Sequence, residues 1–115
     1  MMMIKLAIDN VPYRTALREM LAGHVDLEVR CVDQPDMTDS GVVVLDAGHL
    51  TRLPLPLQRP ERVVLIASKE PAQLTRAWEA GVNSVVYEKD PLSTAVLAIM
   101  SARLRCGKQR HDGGG

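Results

Sequence analysis

The sequence predicts an α/β layer fold built on a parallel sheet, and three observations carry that expectation. Apolar runs of strand character alternate with stretches of helical periodicity, the element order of a parallel layered domain. Two of the runs, VVVL (residues 42–45) and VVLIA (Val63–Ala67), are continuous and β-branched rather than alternating, the pattern of strands buried on both faces. The chain has 115 residues, 46% hydrophobic and 24% charged, which makes one domain with a true core and no second one. Aromatics are only 3%, with no Phe, so Val, Leu, Ile, Ala and Met must fill that core.

Five strands are expected, at residues 4–8, 27–32, 42–45, 63–67 and 84–87. The first helix is placed at residues 12–22, where Leu17, Met20 and Leu21 recur at helical spacing and Gly23 suits a C-terminal cap. The second covers residues 71–80, with Pro71 in its first turn and Gly81 as its stop. The third covers residues 91–104; Asp90 is its expected N-cap, and Leu92, Ala95, Val96, Ile99 and Met100 form its apolar stripe. The two middle crossovers are too poor for full helices. The stretch between Val32 and Val42 is shorter than a helical crossover needs. The stretch between Asp46 and Val63 holds Pro54, Pro56 and Pro60, which forbid more than about one helical turn. Residues 1–104 are therefore read as the domain, and residues 105–115, ending in three glycines, as a disordered basic and Gly-rich tail.

Charge and composition exclude several classes. Formal net charge is zero, from 14 basic and 14 acidic residues. Arg103, Arg105, Lys108 and Arg110 lie in residues 103–115, so residues 1–102 are acidic on balance, which argues against direct nucleic-acid binding. Cys31 and Cys106 make neither a disulfide framework nor a metal set and read as small hydrophobes. No apolar run approaches the ~18 residues of a membrane span, and no signal peptide is visible, so the cytoplasm is the default compartment. No G-x-G-x-x-G follows a strand, no Walker loop exists, and no nucleophile–base set falls on the strand ends, which leaves a small ligand- or nucleotide-binding protein as the rival from another class.

In a parallel sheet, ligands sit beyond the carboxyl ends of the strands at the switch point of strand order. Asp9 and Asn10 end the first expected strand, Asp46 the third, Ala67 and Ser68 the fourth, and Glu88 and Lys89 follow the fifth. Carboxylates with one lysine at such an edge suit Mg²⁺ and a phosphoryl group, because hard cations take oxygen ligands and lysine offsets phosphoryl charge.

The segments LAIDNVPYRTALREML, VVVLDAGH, VVLIAS and RAWEAGVNSVVYEKD together resemble the response-regulator receiver domains of two-component signalling, closest to those of NarL/LuxR-type regulators, over residues 3–104. The resemblance implies a three-layer flavodoxin-like (CheY-like) fold with a five-stranded sheet of order 2-1-3-4-5. It also implies phosphoryl transfer from a histidine kinase, with Mg²⁺ as cofactor. Asp46 matches the phospho-acceptor, and Asp9 and Asn10 match the pair that holds the metal with it. The switch hydroxyl of the family falls on Ala67, with Ser68 one position late. The family's lysine falls on Glu88, with Lys89 one position late. Tyr87 matches the aromatic that rotates on activation. Asn10 brings no charge where the family has an acid, Ala47-Gly48-His49 replaces Met-Pro after the acceptor, and the two weak crossovers fall on the family's second and third helices.

These departures lead to an expectation of a degenerate receiver: a signalling module, not an enzyme turning over a metabolite. It acts as a pseudo-receiver or weakly phosphorylatable interaction or dimerisation domain tied to transcriptional regulation, with a fully functional phospho-accepting receiver as the alternative. Partners are a histidine kinase, a second copy or an effector, with no membrane. If the chain is the amino-terminal piece of a transcription factor, the basic tail leads into a helix-turn-helix. The remaining residues read more blandly. Asp9 doubles as a cap for the first helix. Asp33, Asp36 and Asp39 solvate a loop, or one of them lends the missing acid. His49 is expected to be exposed rather than a ligand. Trp78 is either half core or part of an interaction face shared with Tyr87.

Overall fold

A computed structural model describes residues 2–34, 41–53, 57, 59–68 and 70–112, with residues 106–112 as backbone only. Five strands, β1 (Met2–Ala7), β2 (Leu27–Cys31), β3 (Val42–Asp46), β4 (Val63–Ala67) and β5 (Ser84–Tyr87), form one parallel sheet in the order β2-β1-β3-β4-β5. This is the order that the resemblance implied. The continuous apolar runs became the central strands: Val42, Val43, Val44 and Leu45 of β3 and every residue of β4 are buried.

Alternate residues of the strands feed two cores. Ile4, Leu6, Val42, Val44, Val64, Ile66 and Val86 face α1 (Val11–Ala22) and α4 (Leu92–Asp112), which supply Leu17, Leu21, Ala95, Ile99 and Ala102. Ala7, Val43, Leu45, Val63, Leu65 and Ala67 face the other way, onto Leu50 of the short α2 (Ala47–Leu50) and Ala77 and Ala80 of α3 (Pro71–Ala80), with Leu57 and Val82. The sheet is thus clasped by two long helices on one face. Over the other face, one ten-residue helix and a single turn are described. Where the β2–β3 crossover lacks a described helix, the sequence places polar residues on the same face: Lys5 pairs in register with Arg30, and Met3 with Glu28, and Arg30 and Glu28 form a surface ion pair of 3.1 Å.

The proline-rich β3–β4 crossover holds the one turn expected of it, α2, and a 3-10 turn at Pro60–Arg62. Two glycines set the chain's direction. Gly41, at φ 105°, enters β3, and a Cβ there would fall on the Met3 carbonyl oxygen. Gly81, at φ 86°, ends α3 in the left-handed conformation.

Three expectations need correction. β1 begins at Met2 rather than Ile4, because Met2 N donates to Asp26 O and opens the ladder with β2. Asp90 does not close the start of α4; its carboxylate accepts from Tyr87 N at 3.1 Å and ties the turn after β5. The last helix runs on to Asp112 rather than stopping near Leu104. Lys108, Gln109 and Arg110 favour helix, and Gly107 opposes it most, by about 1 kcal/mol. Ion pairing of Arg103 with Asp26, just before β2, and a hydrogen bond from Arg105 Nη2 to Ser84 Oγ of β5 tie this helix to both edge strands of the sheet. Among the described residues, no helix is long and apolar enough to cross a membrane.

Candidate functional site

The carboxyl ends of β1 and β3 are neighbours in the sheet, at the point where strand order reverses. They carry Asp9 and Asp46, as the strand pattern implied. Asp46 is the N-cap of α2, in extended conformation. Both of its carboxylate oxygens accept. Oδ1 accepts from His49 N at 2.8 Å and contacts His49 Nδ1 at 2.7 Å, and Oδ2 accepts from Asp9 N at 2.8 Å. Burial alone would raise its pKa, but these three donors outweigh burial and hold it below the usual carboxylate range.

His49 overturns the expectation of an exposed side chain: it is only 5% exposed. Its place follows from local structure. Asp46 at the cap and His49 in the first turn are three residues apart, so the cap that starts α2 also brings the imidazole onto the carboxylate. The other ring nitrogen, Nε2, faces Asp9 Oδ1 at 3.8 Å. The sequence signal was present in the D-A-G-H spacing, which reads as a capping arrangement once α2 is known to form.

Asn10 also departs from its expected part. Its Oδ1 accepts from Tyr13 N at 3.1 Å and caps α1. The capping role weighed for Asp9 thus belongs to Asn10, and the second metal-holding position is turned to the helix. Gly48 lies over the gap, where a Cβ would stand 3.6 Å from Asp46 Oδ1 and 3.9 Å from Asp9 Oδ2. Asp33 is exposed; Asp36 and Asp39 lie outside the described residues.

The other predicted residues gather one strand further on. Ala67, Ser68, Tyr87, Glu88 and Lys89 line a small pocket at the ends of β4 and β5. Glu88 N donates to Ala67 O at 2.9 Å, which fixes the pocket floor. Ala67 is buried and offers no hydroxyl, and Lys89 is exposed. Ser68 N donates to Gln73 Oε1 at 2.8 Å, while Ser68 Oγ is buried without a hydrogen-bond partner among the described residues. Tyr13 was missed by the sequence reading. It packs at the same edge with its hydroxyl buried and unpartnered among the described residues, and burial, then Glu88 and Asp90, push its pKa up. Trp78 is 85% exposed on α3, Cys31 is exposed on β2, and the side chain of Cys106 lies outside the described residues.

The chain matches no family model and no curated protein. Solved structures do match. A LuxR-family DNA-binding response regulator from Staphylococcus aureus superposes with a TM-score of 0.68 at 18% identity, covering 89% of this chain and 98% of that one. RcsB from Salmonella enterica serovar Typhimurium, solved on promoter DNA with the phosphomimetic BeF3-, gives 0.64 at 13% identity, over 90% and 99%. A CheY-like response regulator protein from Mesorhizobium loti gives 0.58 at 14%, over 88% and 98%. The fold is that of receiver domains.

Asp9, Asp46 and His49 form a group that could hold a metal, their ligand atoms within 4.8 Å of one another. That donor set does not suit Mg²⁺. Mg²⁺ takes octahedral oxygen ligation, whereas here Asn10 is turned to α1, Asp46 is taken up by three donors, and a buried imidazole stands between the two acids.

Proposed function

We propose that this receiver domain works in signal transduction as a degenerate module: a pseudo-receiver, or one phosphorylated only weakly, that acts through protein contacts and is linked to transcriptional regulation. One observation carries this reading. Asp46, in the acceptor position, has both carboxylate oxygens occupied by Asp9 N, His49 N and His49 Nδ1. Donors on both oxygens lower the nucleophilicity of a carboxylate that must attack phosphorus, and the attack also needs a counter-charge for the incoming group. Here the nearest fixed donor is an imidazole on the same turn, Ala67 stands where a hydroxyl would contact the phosphoryl group, and Glu88 precedes Lys89 at the end of β5. The likeness to regulators described as DNA-binding or solved on a promoter supports the link to transcription. The exposed Trp78, with Leu97 and Leu104 on one side of α4, supports contacts with a second copy or an effector.

An amide NMR titration with Mg²⁺ and then beryllofluoride tests the reading, with Asp46→Ala as control. The expected result is no Asp46-dependent shift reaching residues 84–89. Shifts that spread from Asp46 to that segment in the wild type alone would establish the alternative, a working phospho-acceptor with a histidine-kinase partner.

A further inference from the structure

We infer that the Asp9–Asp46–His49 cluster is a site for a borderline divalent transition ion of the Zn²⁺ class, held by His49 Nε2 and the Asp9 carboxylate, with Asp46 orienting the imidazole. Asp46 Oδ1 lies 2.7 Å from His49 Nδ1, the position of a carboxylate that accepts the Nδ1 proton. In neutral imidazole that bond leaves the lone pair on Nε2, which faces Asp9 Oδ1. The pattern of carboxylate, histidine and ion is the usual way a metal-binding imidazole is fixed in tautomer and direction.

The gap itself has the right size. At 3.8 Å, Nε2 and Asp9 Oδ1 are too far apart for a hydrogen bond. Two ligands at about 2.0–2.2 Å from one ion span such a distance with small adjustment. Imidazole with carboxylate favours Zn²⁺, Co²⁺ and their neighbours over Mg²⁺. Access is provided for: Asp9 is 68% exposed, so water completes the coordination, and Gly48 leaves the approach between Asp9 and Asp46 without a side chain. His49 is held in place before any ion arrives, which lowers the ordering cost of binding.

Co²⁺ serves as the spectroscopic probe and Zn²⁺ and Mg²⁺ as calorimetric ones, on the full chain with Cys31→Ser and Cys106→Ser to remove thiol binding. Zn²⁺ is expected to bind at least tenfold more tightly than Mg²⁺, and Co²⁺ to give a ligand-field band. His49→Gln and Asp9→Asn should each remove the band. Asp46→Asn should weaken binding by about 10–100-fold through the imidazole's orientation. Gly48→Val, whose side chain would stand against the Asp9 and Asp46 carboxylates, should weaken Co²⁺ binding in a protein whose circular dichroism matches the wild type. Mg²⁺ binding as tight as Zn²⁺, or a Co²⁺ band that survives His49→Gln, would overturn the inference. It stands apart from the signalling proposal: a domain that answers beryllofluoride and still takes Co²⁺ through His49 keeps this inference and loses that one.

Discussion

At the scale of single residues, the chemistry turns on His49, and its removal has a cost. His49→Ala takes one side-chain donor from a part-buried carboxylate and opens space beside Leu50. A loss of about 1–3 kcal/mol in urea unfolding is expected. Tyr13 is the opposite case. Its hydroxyl is buried and has no partner among the described residues, so Tyr13→Phe should leave stability unchanged or raise it slightly in the same assay. Gly41 admits no side chain: Gly41→Ala puts a Cβ on the Met3 carbonyl oxygen at positive φ, and a loss above about 1–2 kcal/mol should appear as a lower thermal midpoint. The meeting of Asp46 and Asp9 at one end of the sheet was legible because an acid at the end of an apolar strand calls for a reason. His49 was not, because its burial depends on α2 forming, and a four-residue helix leaves no periodicity to read. The cap that Asn10 provides was not foreseen for a related reason: an amide at a strand end suits a ligand or a helix cap equally, and the backbone of α1 supplies the partner for the cap.

At the scale of elements, the central strands were plain in the sequence because burial on both faces leaves no alternation to confuse. The ends of elements were less plain. Asp90 has the residue type of an N-cap, yet the turn after β5 takes its carboxylate first. Ile99 of α4 is fully buried against α1 and the sheet. Ile99→Ala should cost about 2–5 kcal/mol. Arg103, whose ion pair with Asp26 joins the same helix to the start of β2, is partly exposed. Arg103→Ala should cost less than about 1 kcal/mol and less still in high salt. Parallel denaturant titrations of the two variants give the comparison. The order of these losses tests the view that α4 is held by apolar packing rather than by charge.

At the scale of the whole molecule, stability should carry the mark of Asp46 in acid. Its folded pKa lies below the ordinary carboxylate value, so it stabilises the fold above that value. The contribution fades as pH falls through the folded pKa. Unfolding free energy measured from neutral pH downward should therefore drop less steeply in Asp46→Asn than in the wild type. The placement of α2 extends this local bond to the rest of the chain. His49 and Leu50 are adjacent in one turn; the first closes on the carboxylate, and the second is fully buried in the core shared with Leu57, Ala77 and Ala80. The turn is a lever with one arm in the site and one in the core. An occupant that draws the imidazole outward is expected to shift Leu50 as well, and Leu50 packs in the core beneath α3, the helix that displays Trp78.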